Sequence, residues 1–150
     1  MLKIGDKAPD IRLHTDTGGD FRLSDLKGKR VVLYFYPRAN TPGCTTEACE
    51  FRDGAESFAK KGAVVVGVSP DTPAAQAKFK SKYNLPFALL ADEEKAAAQA
   101  YGVWKEKNMY GKKVMGIERS TFVIGPDGKI EKIYAKVKAK GHAAEVLAGL

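Results

Sequence analysis

Val31-Val32-Leu33-Tyr34-Phe35-Tyr36-Pro37-Arg38-Ala39-Asn40-Thr41-Pro42-Gly43-Cys44-Thr45-Thr46-Glu47-Ala48-Cys49 decides how this 150-residue chain folds. The β-branched and aromatic run 31–36 reads as a strand buried on both faces, and Pro37 ends it. The Pro42-Gly43 pair marks a turn that opens a helix, expected from residue 42 or 43 to Lys61. Cys44 then falls in the helix's first turn, where unpaired N–H groups and the positive end of the macrodipole favour thiolate over thiol. The thiolate is the reactive form. Cys49 follows five residues later, and the chain has no other cysteine.

On an ideal helix, residues five apart lie roughly 7.5 Å apart along the axis and about 140° apart around it. Their Cα atoms are then roughly 8 to 9 Å apart, beyond the ~7 Å limit for a disulfide. Two readings stay open on spacing alone. Either these are unrelated thiols behaving as small hydrophobes, or they are a redox pair that bonds only after local unwinding.

Outward from this stretch, Ala63 to Val68 reads as a second buried strand. Asp71 or Thr72 caps a helix that has Pro73 in its first turn and runs to about Tyr83. Phe87 to Ala91 reads as a strand and Glu93 to Tyr101 as an alanine-rich helix, with Tyr101, Val103 and Trp104 packing inward. Ser120 to Ile124 and Lys129 to Val137 flank Gly125-Pro126-Asp127-Gly128, a hairpin signal. Gly141 to Leu147 forms a last helix. Before the first buried strand, Asp10 to His14 and Asp20 to Leu23 read as an N-terminal hairpin, followed by a single helical turn over Ser24 to Gly28. This order predicts an α/β, thioredoxin-like fold in one domain, residues 1–150. A central mixed sheet is flanked by helices and carries an N-terminal β-hairpin extension. Reactive groups in such sheets gather beyond the carboxyl ends of the central strands, where the 31–36 strand delivers the cysteine turn.

Composition narrows the function. Hydrophobic residues at 44% and charged residues at 29% are ordinary for a globular chain. No apolar stretch approaches the roughly 18 residues of a membrane span, and Met1 to Asp6 has no signal-like apolar region. Two cysteines without a signal point to a reducing, cytoplasmic setting, where cysteine pairs tend to be catalytic or sensing. The net charge of +7 comes from dispersed lysines, partly interleaved with carboxylates, and no nucleic-acid-binding motif accompanies it. His14 and His142 lie far apart without metal-site spacing, and no Gly-rich phosphate loop occurs. The sequence therefore calls for no metal, cofactor, nucleic acid or membrane.

Pro37-x-x-x-Thr41-x-x-Cys44 resembles the Pro-x-x-x-Thr/Ser-x-x-Cys signature of the peroxiredoxins. The string Thr41 to Cys49 is similar to the Q-type, or bacterioferritin comigratory, branch. The likeness runs from Gly5-Asp6-Lys7-Ala8-Pro9 through Gly125-Pro126-Asp127-Gly128. The resemblance implies a thiol peroxidase acting on hydrogen peroxide and organic hydroperoxides, with Cys44 as the nucleophile that becomes a sulfenic acid. It implies that Thr41 offers its hydroxyl to the thiolate and the peroxide oxygen, and that Pro37 shields the thiolate and shapes the loop. Arg119 would stabilise the thiolate and polarise the peroxide, and Glu47, one turn after Cys44, would orient Arg119. The N–H groups of Gly43 and Cys44 would hold a peroxide oxygen. Cys49 would resolve the sulfenic acid as an intramolecular disulfide, recycled by thioredoxin or a similar dithiol protein, with the chain a monomer. Thr45 and Thr46, modest helix formers, would ease the unwinding that step needs.

Two other classes fit parts of this pattern. A thioredoxin-like disulfide oxidoreductase fits the fold, but the Cys-x-x-Cys pair is missing. A peroxide sensor would be oxidised at Cys44 without turnover.

Overall fold

The computed structural model describes residues 2–150, apart from the side chain of Met109; Met1, part of the N-terminal stretch read above, lies outside the described residues. In chain order the elements are β1 (Arg12–Thr15), β2 (Asp20–Arg22), a 3-10 turn (Leu23–Leu26), β3 (Arg30–Phe35), α1 (Pro42–Asp53), α2 (Ala55–Lys60) and β4 (Ala63–Ser69). They continue with α3 (Pro73–Tyr83), β5 (Ala88–Ala91), α4 (Ala96–Ala100), β6 (Trp104–Met109), β7 (Lys112–Ile117), β8 (Ser120–Ile124), β9 (Ile130–Tyr134) and α5 (His142–Ala148).

Seven strands form one mixed sheet in the order β2-β1-β5-β4-β3-β8-β9. The apolar run lies at its centre: β3 pairs parallel with β4 and antiparallel with β8. Alternation along β3 feeds two cores. Val31, Leu33 and Phe35 pack with Val66, Val68, Phe122 and Ile124 on one face. Val32, Tyr34 and Tyr36 pack on the other with Cys44, Ala48, Phe51, Phe58 and Phe79. Helix α1 is thus clamped onto the sheet by its own apolar side, which includes the Cys44 sulfur. The N-terminal hairpin is present and joins the sheet through β1, which pairs antiparallel with β5. This is the thioredoxin-like architecture the element order predicts.

Four details differ from the sequence reading. The helix expected through Lys61 breaks at Gly54, whose φ of −91° and ψ of 0° end α1 before α2 begins. The alanine-rich helix spans only Ala96–Ala100, because buried Asp92 accepts the N–H groups of Ala97 at 3.1 Å and Ala98 at 2.9 Å and holds residues 92–95 as a turn. The last strand stops at Tyr134 rather than Val137.

The largest difference is an extra two-stranded sheet, β6–β7. Its sequence, Trp104 to Ile117, is lysine-rich and shows no apolar alternation. Its turn uses Tyr110 and Gly111, both at positive φ (53° and 77°), instead of an Asn-Gly or Asp-Gly pair. Buried Val103 and Ile117 anchor its base, where the Glu118 N–H donates to the Val103 carbonyl at 2.8 Å. No helix among the described residues is long and apolar enough to cross a membrane.

Candidate active site

The site begins where β3 leaves the sheet. The Tyr36 N–H still donates to the Val68 carbonyl at 3.0 Å, and half-buried Pro37 then turns the chain away. Asp71, just past the end of β4, accepts the Ala39 N–H at 2.7 Å and the Ser69 hydroxyl at 2.6 Å. Gln76 on α3 donates to Ser69 Oγ and to the Leu90 carbonyl, and accepts the Tyr36 hydroxyl. This buried polar chain ties the loop to β4, β5 and α3. The sequence reading missed it, treating Asp71 only as a candidate helix cap. Asn40, at a φ of +62°, completes the turn.

Thr41 is the N-cap of α1, with extended dihedrals and its carbonyl accepting the Thr45 N–H at 2.8 Å. Its hydroxyl donates to the Arg38 carbonyl at 2.8 Å, so its proton points back into the loop rather than to the sulfur. Pro42 occupies the first helical turn, where the missing N–H costs nothing.

Cys44, Glu47 and Arg119 meet one turn into α1. Arg119 precedes β8, and its two terminal nitrogens divide their work. Nη1 donates to Glu47 Oε1 at 2.7 Å, and Nη2 donates to Cys44 Sγ at 3.2 Å. The guanidinium lies against Gly43, where an added Cβ would sit 3.2 Å from Nη2. Glycine here therefore permits the close approach of the cation to the backbone. Cys44 is buried, and Glu47 has no exposed surface. Burial pushes the Glu47 carboxyl up to about 7, although the charge and hydrogen bond of Arg119 oppose that rise. Burial pulls the Arg119 guanidinium down, but Glu47 and Cys44 outweigh it and leave the cation more firmly protonated than usual. Two buried oxygens, Glu47 Oε2 in this cluster and the Tyr34 hydroxyl against Gly67 of β4, have no hydrogen-bond partner among the described residues.

Cys49 is half-buried further along α1, and neither cysteine is in a disulfide. With the helix continuous from Pro42 to Asp53, the two sulfurs are kept apart by helical geometry. The fold thus gathers Gly43, Cys44, Glu47 and Arg119 into one cluster. Thr41 and Pro37 frame it, and Cys49 stands off. His142 lies outside this cluster, buried between Thr121 Oγ1 at 2.7 Å and Glu145 Oε1 at 2.9 Å. Among the described residues no group of three His, Cys, Asp or Glu side chains is placed to hold a metal ion.

The chemistry of this cluster has relatives. The AhpC/TSA family model matches residues 4–133. The chain is 57% identical to Peroxiredoxin Bcp of Bacillus subtilis over 146 residues, covering 97% of this chain and 93% of that one. Against Peroxiredoxin Bcp of Escherichia coli the identity is 43%, covering 97% and 94%. A structure of the Xanthomonas campestris bacterioferritin comigratory protein, solved for its alkyl peroxide reduction activity, superposes with a TM-score of 0.91 at 41% identity. That superposition covers 99% of this chain and 95% of the other. Family match and relatives spanning nearly the whole chain agree: the chain belongs to the AhpC/TSA family, in its Bcp or Q-type peroxiredoxin branch, and is a thiol peroxidase.

Proposed function

We propose that Cys44 is the peroxide-reducing nucleophile and Cys49 its resolving partner. One observation carries this reading: Arg119 bridges Cys44 Sγ and buried Glu47, which fixes a cation where sulfur and peroxide oxygen would meet. The thiolate attacks the nearer peroxide oxygen, forming the S–O bond as the O–O bond breaks. Sulfur is oxidised by two electrons, and the departing alkoxide or hydroxide takes up a proton to leave as alcohol or water. Arg119 and the N–H groups of Gly43 and Cys44 offset charge developing on the oxygens. Thr41 reaches the peroxide only by releasing the Arg38 carbonyl, so its role belongs to the substrate-bound state. Pro37 keeps bulk water from the sulfur.

The Cys44 sulfenic acid then condenses with the Cys49 thiol, releasing water and forming a disulfide. That step requires α1 to unwind locally. Thioredoxin or a similar dithiol supplies the two electrons and two protons that restore both thiols. The protein works as a monomer in the cytoplasm, a reducing compartment suited to that partner.

Peroxide consumption coupled to a thioredoxin system, run on the native protein and both cysteine variants, tests the assignment. Cys44→Ser abolishes turnover. Cys49→Ser allows one oxidation and stops at the sulfenic acid unless an external thiol intervenes. After one equivalent of peroxide, the native protein loses about two mass units as the disulfide forms. Retained turnover in Cys44→Ser overturns the nucleophile assignment, and a native protein that gains oxygen without losing hydrogen overturns the role of Cys49.

A further inference from the structure

The β6–β7 hairpin enters the chain directly before Arg119 and carries a cation that the chemistry above does not use. Lys105 and Lys107 share one face of β6, opposite Gly116 and Val114 in the β7 register. Lys105 is answered locally, since its Nζ lies 2.9 Å from Glu118 Oε2. Among the described residues Lys107 has no carboxylate within ion-pair distance. Yet its side chain is half-buried, while Glu106, Asn108, Lys112 and Lys113 around it are exposed.

The hairpin makes room for this side chain. A Cβ on Gly116 would sit 3.2 Å from Lys107 Cδ and 3.7 Å from its Nζ. Gly116 is not at positive φ, so its backbone does not call for glycine. What meets the glycine is the lysine stem, which packs over it. The amine also lies within electrostatic reach of the reacting groups: burial and the Arg119 charge lower its proton affinity, and the charges of Glu118 and Cys44 pull it back up.

Around Cys44, Arg119 is matched by Glu47 and the sulfur, and Lys105 by Glu118. Among the described residues Lys107 has no such match, and unlike the exposed Arg38, Lys136 and Lys138 it is half-buried. A partly desolvated, unpaired charge is unfavourable, and an anion from solution relieves it. An anionic substrate needs such a counter-charge here, because its peroxide must approach a negatively charged sulfur. Val114, opposite Lys107 on the same face and partly exposed, adds an apolar surface beside the amine.

We infer that Lys107 is a specificity-determining residue that holds the carboxylate of an organic hydroperoxide and favours anionic hydroperoxides over neutral ones. The inference rests on the peroxidase reading with Cys44 as nucleophile.

The test compares para-carboxycumene hydroperoxide with its methyl ester, which has the same skeleton without the charge. In the native protein kcat/KM is higher for the acid, and the acid-to-ester ratio declines as salt is raised. Lys107→Gln lowers that ratio on the order of fivefold, chiefly through the acid's KM, and removes its salt dependence. Lys107→Arg restores the ratio. A ratio unchanged in Lys107→Gln overturns the inference. So does an equal fall for both substrates, because Lys107 would then act on the sulfur or Arg119 rather than on the bound carboxylate. Absence of turnover with either substrate in the native protein would instead break the peroxidase reading itself.

Discussion

The two ends of α1 are held to the protein by different forces, and the difference says which end moves. The Cys44 end rests on directed polar contacts: Arg119 to Cys44 and Glu47, and the Asp71 tether on the Ala39 N–H. It also buries one oxygen, Glu47 Oε2, without a partner among the described residues. The Cys49 end rests on aromatic packing. Phe51 has no exposed surface and stacks on Tyr34 at 4.7 Å between centroids, with Phe58 at 5.6 Å and His142 at 6.0 Å. Glu50 accepts the Gly141 N–H at 2.7 Å, and Arg52 Nη1 donates to the Tyr83 carbonyl at 2.8 Å. Polar contacts to a buried carboxylate are exchanged for water more readily than a packed ring is pulled from a core. If Cys49 resolves Cys44 as proposed, this contrast predicts that α1 unwinds from Pro42 and that Cys44 travels toward Cys49.

Emptying the packed end has the largest expected effect. Phe51→Ala removes a fully buried ring and costs about 3–5 kcal/mol of stability, read from denaturant unfolding. A loss below about 1 kcal/mol would mean that the Cys49 end is not the anchored one, and the direction of unwinding would have to be reversed.

Much of this contrast was legible in the sequence because it rests on strong local signals. The 31–36 run, ended by Pro37, fixed the central strand, and Pro42-Gly43 fixed the helix start that holds Cys44 and Glu47 one turn apart. Arg119 was reachable only through the family resemblance, because no local pattern distinguishes an arginine that contacts a buried cysteine from a surface one at a strand end. The β6–β7 hairpin escaped because most of its side chains are exposed and its half-buried positions include Lys105 and Lys107, so it lacks the apolar periodicity that core burial imposes. The Asp71–Ala39 tether escaped for another reason: its partners are 32 residues apart, and Asp71 already read as a helix cap.

The polar end makes the opposite kind of prediction. The Glu47 carboxyl is pushed up to about 7 by burial, from an ordinary 4.5. Between those values the native state keeps a proton that the unfolded chain releases. This contribution to stability is fully present below pH 4.5, is lost as pH rises toward about 7, and stays lost above it. The cost at pH 8 is on the order of 3 kcal/mol. Glu47→Gln carries no such proton. Its stability advantage over the native protein therefore grows across this window, while peroxidase activity falls because Arg119 loses its charged support. Unfolding curves of both proteins from pH 4 to 8 check this, and a pH-independent difference would remove Glu47 as the destabilised group.

The smallest effect discriminates best. Glu50 is next to Cys49 and ties α1 to the start of α5 through the Gly141 N–H. Glu50→Gln weakens that exposed, charge-assisted bond and costs about 1 kcal/mol. If the Cys49 end had to open for the disulfide to form, that loss would appear as faster resolution, up to roughly fivefold. If α1 unwinds from Pro42, the bond stays intact through the opening. Disulfide formation, followed by quenched flow and mass spectrometry, then keeps its native rate to within about twofold while global stability drops. Acceleration matching the destabilisation would place the hinge at the Cys49 end, and the packed core around Phe51 would then have to give way each time the enzyme resolves its sulfenic acid.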